Sequence, residues 1–421
     1  MRNLRIAFIY PFSQEFNGDT LKYRGLGGAE SATIYMAEEL AALNHTVTVY
    51  NNLEGDEGFY GGVSYKKLRD ESIEYDIVVC VRSIYPLLYN NKSQSAYNRN
   101  FSHLPSFENI MSYASYKVLW RHDTYVEGDE HIKTLLDKGE LDKVFTLSPW
   151  HTEHTKRHLE ISSKDIYQTR NGVKYWPSKL ALAKRKHSFV YNAAAYKGLE
   201  FLLTEVWPSI KSVLPDAELT VIGGYYEGIN DWNYTYIKEA TKAEIAGVAF
   251  VGIITQREVA EILESAEFFL YPCRFPETFG ISTLEAMLYG CVPIVLPIGA
   301  LGDWSNNLVH KVHNEKLFTA EAIALALDIK RADRYRNNYK GMINKYSWYS
   351  VAEEWEEFFN TIGEEKVKSI LIAIPTAVRI ECETFKSIYD LEIPEGYRAD
   401  FNFFWCYLVD QGRNTIAVSY T

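Results

Sequence analysis

The chain has 421 residues, 47% of them hydrophobic and 24% charged, a balance that excludes a wholly disordered polypeptide. Its 44 basic and 55 acidic residues leave a formal charge of -11, which argues against a general nucleic-acid binder or a protein held to membranes by bulk positive charge. At roughly 100–200 residues per domain, the length predicts about two to four domains.

The opening run MRNLRIAFIYPF is too short for a secretory apolar core and reads as a first strand, Leu4–Tyr10. Short apolar runs predict further strands at Thr46–Tyr50, Asp76–Val81, Lys117–Trp120 and Lys143–Leu147, with an amphipathic helix over Ser31–Leu43. Strands alternating with helices imply a parallel sheet covered on both faces. The stretch Tyr175–His187, with WPS and a basic KRKH cluster, reads as an exposed linker. A second cycle follows, with strands at Ser188–Tyr191, Glu218–Gly223, Val248–Gly252, Glu267–Tyr271 and Val292–Leu296. Ser350–Phe359 predicts a closing helix. From Lys368 a fresh strand–helix–strand pattern opens, with SILIAIPT as a strand, ETFKSIYDL as a helical run, then IPEGY and FNFFWCYLVDQGRN. The expected fold class is α/β: Rossmann-like doubly wound domains at 1–175 and 186–349, a closing helix at 350–366, and a short partial α/β extension at 367–421. No stretch approaches the roughly 18 apolar residues of a membrane span. The cysteines (Cys80, Cys273, Cys291, Cys382, Cys406) are odd in number and show no CxxC spacing, so neither a disulfide framework nor a zinc site is expected. A reducing, cytoplasmic location fits.

The most informative segment is PETFGISTLEAMLYGCVPIV. Gly280 precedes a predicted helix, Ile281–Tyr289, which Gly290 ends. A helix start after glycine offers free N–H groups and the positive end of the dipole, a ready phosphate site at Gly280, Ile281 and Ser282, with Thr278, Phe279, Thr283 and Leu284 also expected among the substrate-binding residues. Glu277, just before the helix, would reach a group beyond the phosphates, and Glu285 could accept two ribose hydroxyls. An acidic turn plus one surface glutamate would give the same letters. Gly27 and Gly28 open the first helix and could bring backbone amides against a diphosphate. Gly25-x-Gly27-x-x-Glu30 nearly forms a dinucleotide fingerprint, but a glutamate replaces the third glycine and the loop from Pro11 is too long. His151, His154 and His158 have helical spacing but no cysteine partner, and read as a surface helix face. No D-x-D pair occurs, so no metal is expected.

The E-x7-E stretch, the Gly27-Gly28-Ala29-Glu30 loop, LWRHDTY, FTLSPWH, RNGV, AAAYKGLEFLL and PDAELTVIGG occur in an order that resembles the retaining GT-B glycosyltransferases of family 4, over residues 4–360. The resemblance implies two domains facing across a cleft, a nucleotide-diphosphate sugar as donor, a carbohydrate or glycoconjugate acceptor, and no metal or other cofactor. It places His122 and Glu277 at the reacting sugar and Lys197 against the leaving diphosphate. Asp123 and Asn171 would border the substrates. Asn192 stands where the family usually carries an arginine, and Arg274 could supply the missing cation. The tail resembles the opening of a GT-A family 2 domain, which suggests a piece of a longer multi-enzyme polypeptide. A nucleotide-sugar epimerase of the same shape and a non-catalytic sugar-nucleotide or glycan-binding module are the alternatives.

Overall fold

In the computed structural model every apolar run expected as a strand in the two cycles is a strand, with ends displaced by two residues at most. The structure describes residues 3–88, 104–177, 182–223, 244–303, 305–339, 341–373, 399–402, 405–409 and 415–418. The first cycle contains β1 (Arg5–Tyr10), α1 (Gly28–Ala42), β2 (Thr46–Asn51), β3 (Gly58–Tyr60), β4 (Val63–Lys67), β5 (Ile77–Val81), β6 (Tyr116–Trp120), α2 (Asp129–Asp137), β7 (Lys143–Thr146), α3 (Pro149–Leu159) and β8 (Ile166–Gln168). The second contains β9 (Ser188–Ala193), β10 (Glu218–Gly223), β11 (Val248–Gly252), α4 (Gln256–Ser265), β12 (Phe268–Tyr271), α5 (Ile281–Leu288), β13 (Val292–Val295), β14 (His310–Lys311), α6 (Phe318–Leu327) and α7 (Ile329–Asn338).

The first sheet runs β3-β4-β2-β1-β5-β6-β7-β8 and the second β11-β10-β9-β12-β13-β14. All neighbours are parallel except the β3–β4 hairpin. Strands β5, β12 and β13 are buried at every residue, which explains why they read as unbroken apolar runs. In each sheet the first strand lies inside, so the order reverses beside it: β1 sits between β2 and β5, and β9 between β10 and β12. Loops leaving the carboxyl ends part at such points and leave a crevice for ligands. The strands missed in the sequence, β3, β4, β8 and β14, are two to five residues long and partly exposed, too short for a periodic signal.

The chain divides into two compact units, Met1–Glu354, which contains both sheets, and Trp355–Thr421. The closing helix is longer than expected. It runs as α8 from Trp348 to Ala373, through the start of the segment predicted as a new strand; SILIA has no turn residue to stop a helix. The second unit also holds a three-stranded antiparallel sheet, β15 (Ala399–Asn402), β16 (Trp405–Val409) and β17 (Thr415–Val418). The helical run ETFKSIYDL lies outside the described residues. Among the described residues no helix is long and apolar enough to cross a membrane.

Candidate functional site

The carboxyl ends of both sheets open into one cleft of about 480 Å³. Two helices begin at its wall: α1 at Gly28 after N-cap Gly27, and α5 at Ile281 after N-cap Gly280. Neither helix carries a side-chain cap. A Cβ added to Gly28 would sit 3.5 Å from Ile281 Cδ1, so the two starts nearly meet across the cleft. First-turn amides and aligned peptide dipoles from both then act on one volume and favour an anion there. Gly280 turns the chain into α5 with φ +91°, a left-handed conformation that suits glycine.

Glu277 lies at the foot of that turn. Its Oε1 accepts from Lys197 Nζ at 2.6 Å and from the Tyr271 hydroxyl, with Cys273 Sγ 3.9 Å away. No described donor reaches Oε2, so that oxygen is left for a ligand. Burial works to lower the pKa of Lys197, but the Glu277 carboxylate outweighs it and holds the ammonium above the usual lysine range. Lys197 is therefore not the free cation expected from the sequence; it already has a partner. Glu285, further along α5, lines the cleft without a hydrogen bond from any described residue, and burial pushes its pKa up to about 7.

The opposite wall carries His122 and Asp123, at the end of β6. Burial, and then the charge of Arg82, push the His122 imidazole down to about 3, so it is neutral under ordinary conditions. Its Nε2 is buried without a partner. Asn171 Oδ1 and Ser31 Oγ are in the same state on the same cleft. Three unpartnered polar atoms around one hollow are what a polar ligand would satisfy.

Two inter-sheet hydrogen bonds hold this wall to the other. Thr278 Oγ1 donates to the His122 carbonyl at 2.7 Å, and Ser148 Oγ donates to the Thr278 carbonyl at 2.8 Å. Asp303 adds a third link by accepting from the Trp150 amide at 2.6 Å.

Of the residues singled out in the sequence, Gly27, Gly28, His122, Asp123, Asn171, Asn192, Lys197, Glu277, Thr278, Phe279, Gly280, Ile281, Ser282 and Glu285 line the cleft. Thr283 and Leu284 do not; they are buried beneath it, on the face of α5 that packs inward. Arg274 also stands outside. Its guanidinium pairs with Glu315 and lies 4.5 Å over the Phe201 ring.

Two readings of basic clusters need correction. His151 is fully buried rather than part of a surface face. Its Nδ1 accepts the Leu147 amide and its Nε2 lies 3.2 Å from the Asp123 carbonyl, so it fixes the loop that presents Asp123. His154 holds the Thr124 carbonyl and His158 the Asp129 carboxylate. Of the KRKH cluster, Arg185 and Lys186 are exposed as expected, whereas Lys184 and His187 are built into the second sheet's surroundings. Lys184 donates to the carbonyls of Leu263, Ala266 and Tyr289 at 2.7–2.9 Å, closing the ends of α4 and α5, and burial drags its pKa to about 8. His187 is buried and pairs with Asp216.

Arg82 was missed. It sits one residue past β5, where an open sheet meets its ligands, and that position was the available signal. Its backbone has φ +62°, a strained choice for a side chain with Cβ. The guanidinium forks onto Asp123 at 2.6 and 3.0 Å and donates to the Tyr10 hydroxyl at 3.1 Å, which in turn donates to Glu30. Arg82→Met should therefore release Asp123 and cost about 1 kcal/mol of stability, the worth of a charged fork discounted for its partial exposure. Denaturant melts of the variant beside the wild type check this; an unchanged midpoint would mean that the fork is absent in solution.

Residues 185–328 match the protein-family model described as Glycosyl transferases group 1. A glycogen synthase of Geobacillus thermodenitrificans (strain NG80-2) is 27% identical over 237 residues, covering 53% of this chain and 46% of that protein. The chain thus spans about half the length of the curated relatives it matches. Among solved structures, the catalytic domain of starch synthase IV from Arabidopsis thaliana, bound to ADP and acarbose, is similar with a TM-score of 0.61 at 12% identity, over 86% of this chain and 99% of that one. HepE of Anabaena, in complex with UDP and glucose, is similar with a TM-score of 0.60 at 13% identity, over 85% of this chain and 100% of that one. These likenesses show the fold, which is that of the GT-B glycosyltransferases.

Proposed function

We propose that this chain is a glycosyltransferase that moves a sugar from a nucleotide diphosphate to an acceptor hydroxyl. The observation that carries the reading is the convergence of two uncapped helix starts, α1 and α5, on one cleft, with unpaired Ser31, His122 and Asn171 on one wall and Glu285 on the other. The family match over residues 185–328 and the nucleotide-bound structural neighbours support it.

In this reading the diphosphate lies between Gly28 and Ile281. As the bond from sugar to diphosphate breaks, negative charge grows on the departing oxygens, and fixed amide dipoles stabilise it without having to reorganise. Lys197 then shares its proton-rich head between Glu277 and the phosphates. Glu277 Oε2 takes sugar hydroxyls, and neutral His122 offers Nε2 to the sugar from the other wall. Asp123, held by Arg82, faces the acceptor. Retention of configuration and a reaction without metal belong to this proposal through the resemblance to family 4 and the lack of a D-x-D pair. So does a cytoplasmic setting.

Glu285 supplies the test. Its pKa, raised by burial to about 7, means that folding takes up a proton there, and stability falls as pH rises from the free-carboxylate range through 7. A ribose donating hydroxyls needs the ionised form. Nucleotide diphosphate should therefore bind about tenfold more weakly at pH 6 than at pH 8, releasing a proton as it binds at pH 6. Glu285→Gln should flatten that difference. Calorimetry in buffers of different ionisation enthalpy reads both effects, and a profile unchanged by the substitution would remove Glu285 from the ribose.

A further inference from the structure

A second hollow, of about 510 Å³, shares no lining residue with the cleft. Helix α7 presents Arg331, Arg334, Tyr335 and Asn338 along one face, at the i, i+3, i+4 and i+7 spacing of neighbours. The edge strand β14 faces them with His310 and Lys311. Arg331, Arg334 and Lys311 thus stand around one space with no carboxylate on its lining. Lys311 Nζ donates to the Gly302 carbonyl at 2.9 Å and burial lowers its pKa, so the two arginines supply the main charge. Glu321 stands behind the wall, taking His310 Nε2 at 3.0 Å and Arg331 at 3.4 Å, and offsets part of one charge. Asp333, on the same helix, turns away to Arg336. Arg334 is exposed and has no partner among the described residues.

Packing does not require Arg334. Ala332 and Arg336 already anchor α7, the latter through the Gly290 and Glu267 carbonyls. Nor is it a spill-over of general basicity, since the chain carries a net -11. Like charges gathered around a hollow repel one another unless a counter-charge enters. Guanidinium forks match phosphate oxygens in pairs. The Tyr335 hydroxyl lies 3.2 Å from His310 Nδ1 and Asn338 Nδ2 donates to the Asn307 carbonyl at 3.4 Å, so both hold the rim of the hollow in place. The space exceeds what a bare phosphate fills.

We propose that this hollow binds a phosphate-bearing small molecule, at a site separate from the sugar-transfer cleft. The proposal does not depend on the transferase reading.

Calorimetry on the full chain, with inorganic phosphate, pyrophosphate and a hexose monophosphate as probes, tests it. At least one probe should bind saturably to the wild type. Binding should weaken about tenfold or more in Arg331→Gln/Arg334→Gln, as expected for charged hydrogen bonds, and stay within about twofold in Lys197→Ala, which alters only the cleft. Arg334→Gln alone removes no protein contact, so it should weaken binding at an unchanged melting temperature. Tighter binding of the hexose monophosphate than of phosphate identifies an organic ligand; equal binding identifies the free anion. Failure of every probe, survival of binding in the double variant, or its loss in Lys197→Ala overturns the proposal.

Discussion

Glu277→Ala is expected to lower turnover by roughly a hundredfold, the scale of losing substrate orientation at the reacting centre, with nucleotide diphosphate affinity nearly intact. The two effects separate because of what Glu277 touches. Its Oε1 is engaged by Lys197 and Tyr271, its Oε2 has no donor among the described residues, and the residue lines the cleft. Removing the carboxylate frees Lys197, so the phosphates lose nothing and could gain a cation, while the sugar loses its anchor. Stability should also fall by about 3 kcal/mol, because Lys197 is then a largely buried charge with no counterpart. Glu277→Gln separates the terms by keeping the shape and the hydrogen bonds while discarding the charge. Rates, nucleotide calorimetry and denaturant melts on both variants decide the matter. Nucleotide affinity that collapses together with turnover would place Glu277 on the phosphates.

The second large effect comes from a residue that touches no ligand. Gly299 has φ +70° and ψ -142°, and a Cβ there would lie 2.5 Å from the Glu277 carbonyl oxygen and 2.6 Å from its amide nitrogen. The same stretch holds Glu277 through the Ala300 amide, which donates to its carbonyl at 2.8 Å. Gly299→Ala should cost about 3 kcal/mol or more, summing a disfavoured backbone and a backbone clash, and should abolish turnover by displacing Glu277. Gly139→Ala is the control: φ is also positive, but nothing lies within 4 Å of the added carbon, so about 1 kcal/mol of backbone cost is all that is expected. Equal destabilisation by the two substitutions would mean that the contact with Glu277 is absent in solution.

The Lys197–Glu277 pair changes how the cleft must handle charge. Arg82 is likewise committed, to Asp123. The described cations of the cleft are thus both paired, and the helix starts become the main positive field for a diphosphate. With α1 and α5 starting side by side, amide dipoles supply part of what a second cation would.

The sequence alone determined the alternation of buried strands and helices, the glycine that starts α5, and the two glutamates flanking it. These are local properties: apolar period, turn chemistry and cap position are written in neighbouring residues. It could not show which side chains meet across 80 residues, as Lys197 and Glu277 do, or that Arg82 reaches Asp123 from the next strand. It also misplaced His151 and Lys184, because polar letters on a helix or linker look solvated until a carbonyl is brought within reach. Only the side-by-side pairing of strands within each sheet, and the helices laid against it, settles those pairings. A buried charge takes the partner that the tertiary structure puts beside it, and chain spacing carries no record of that choice.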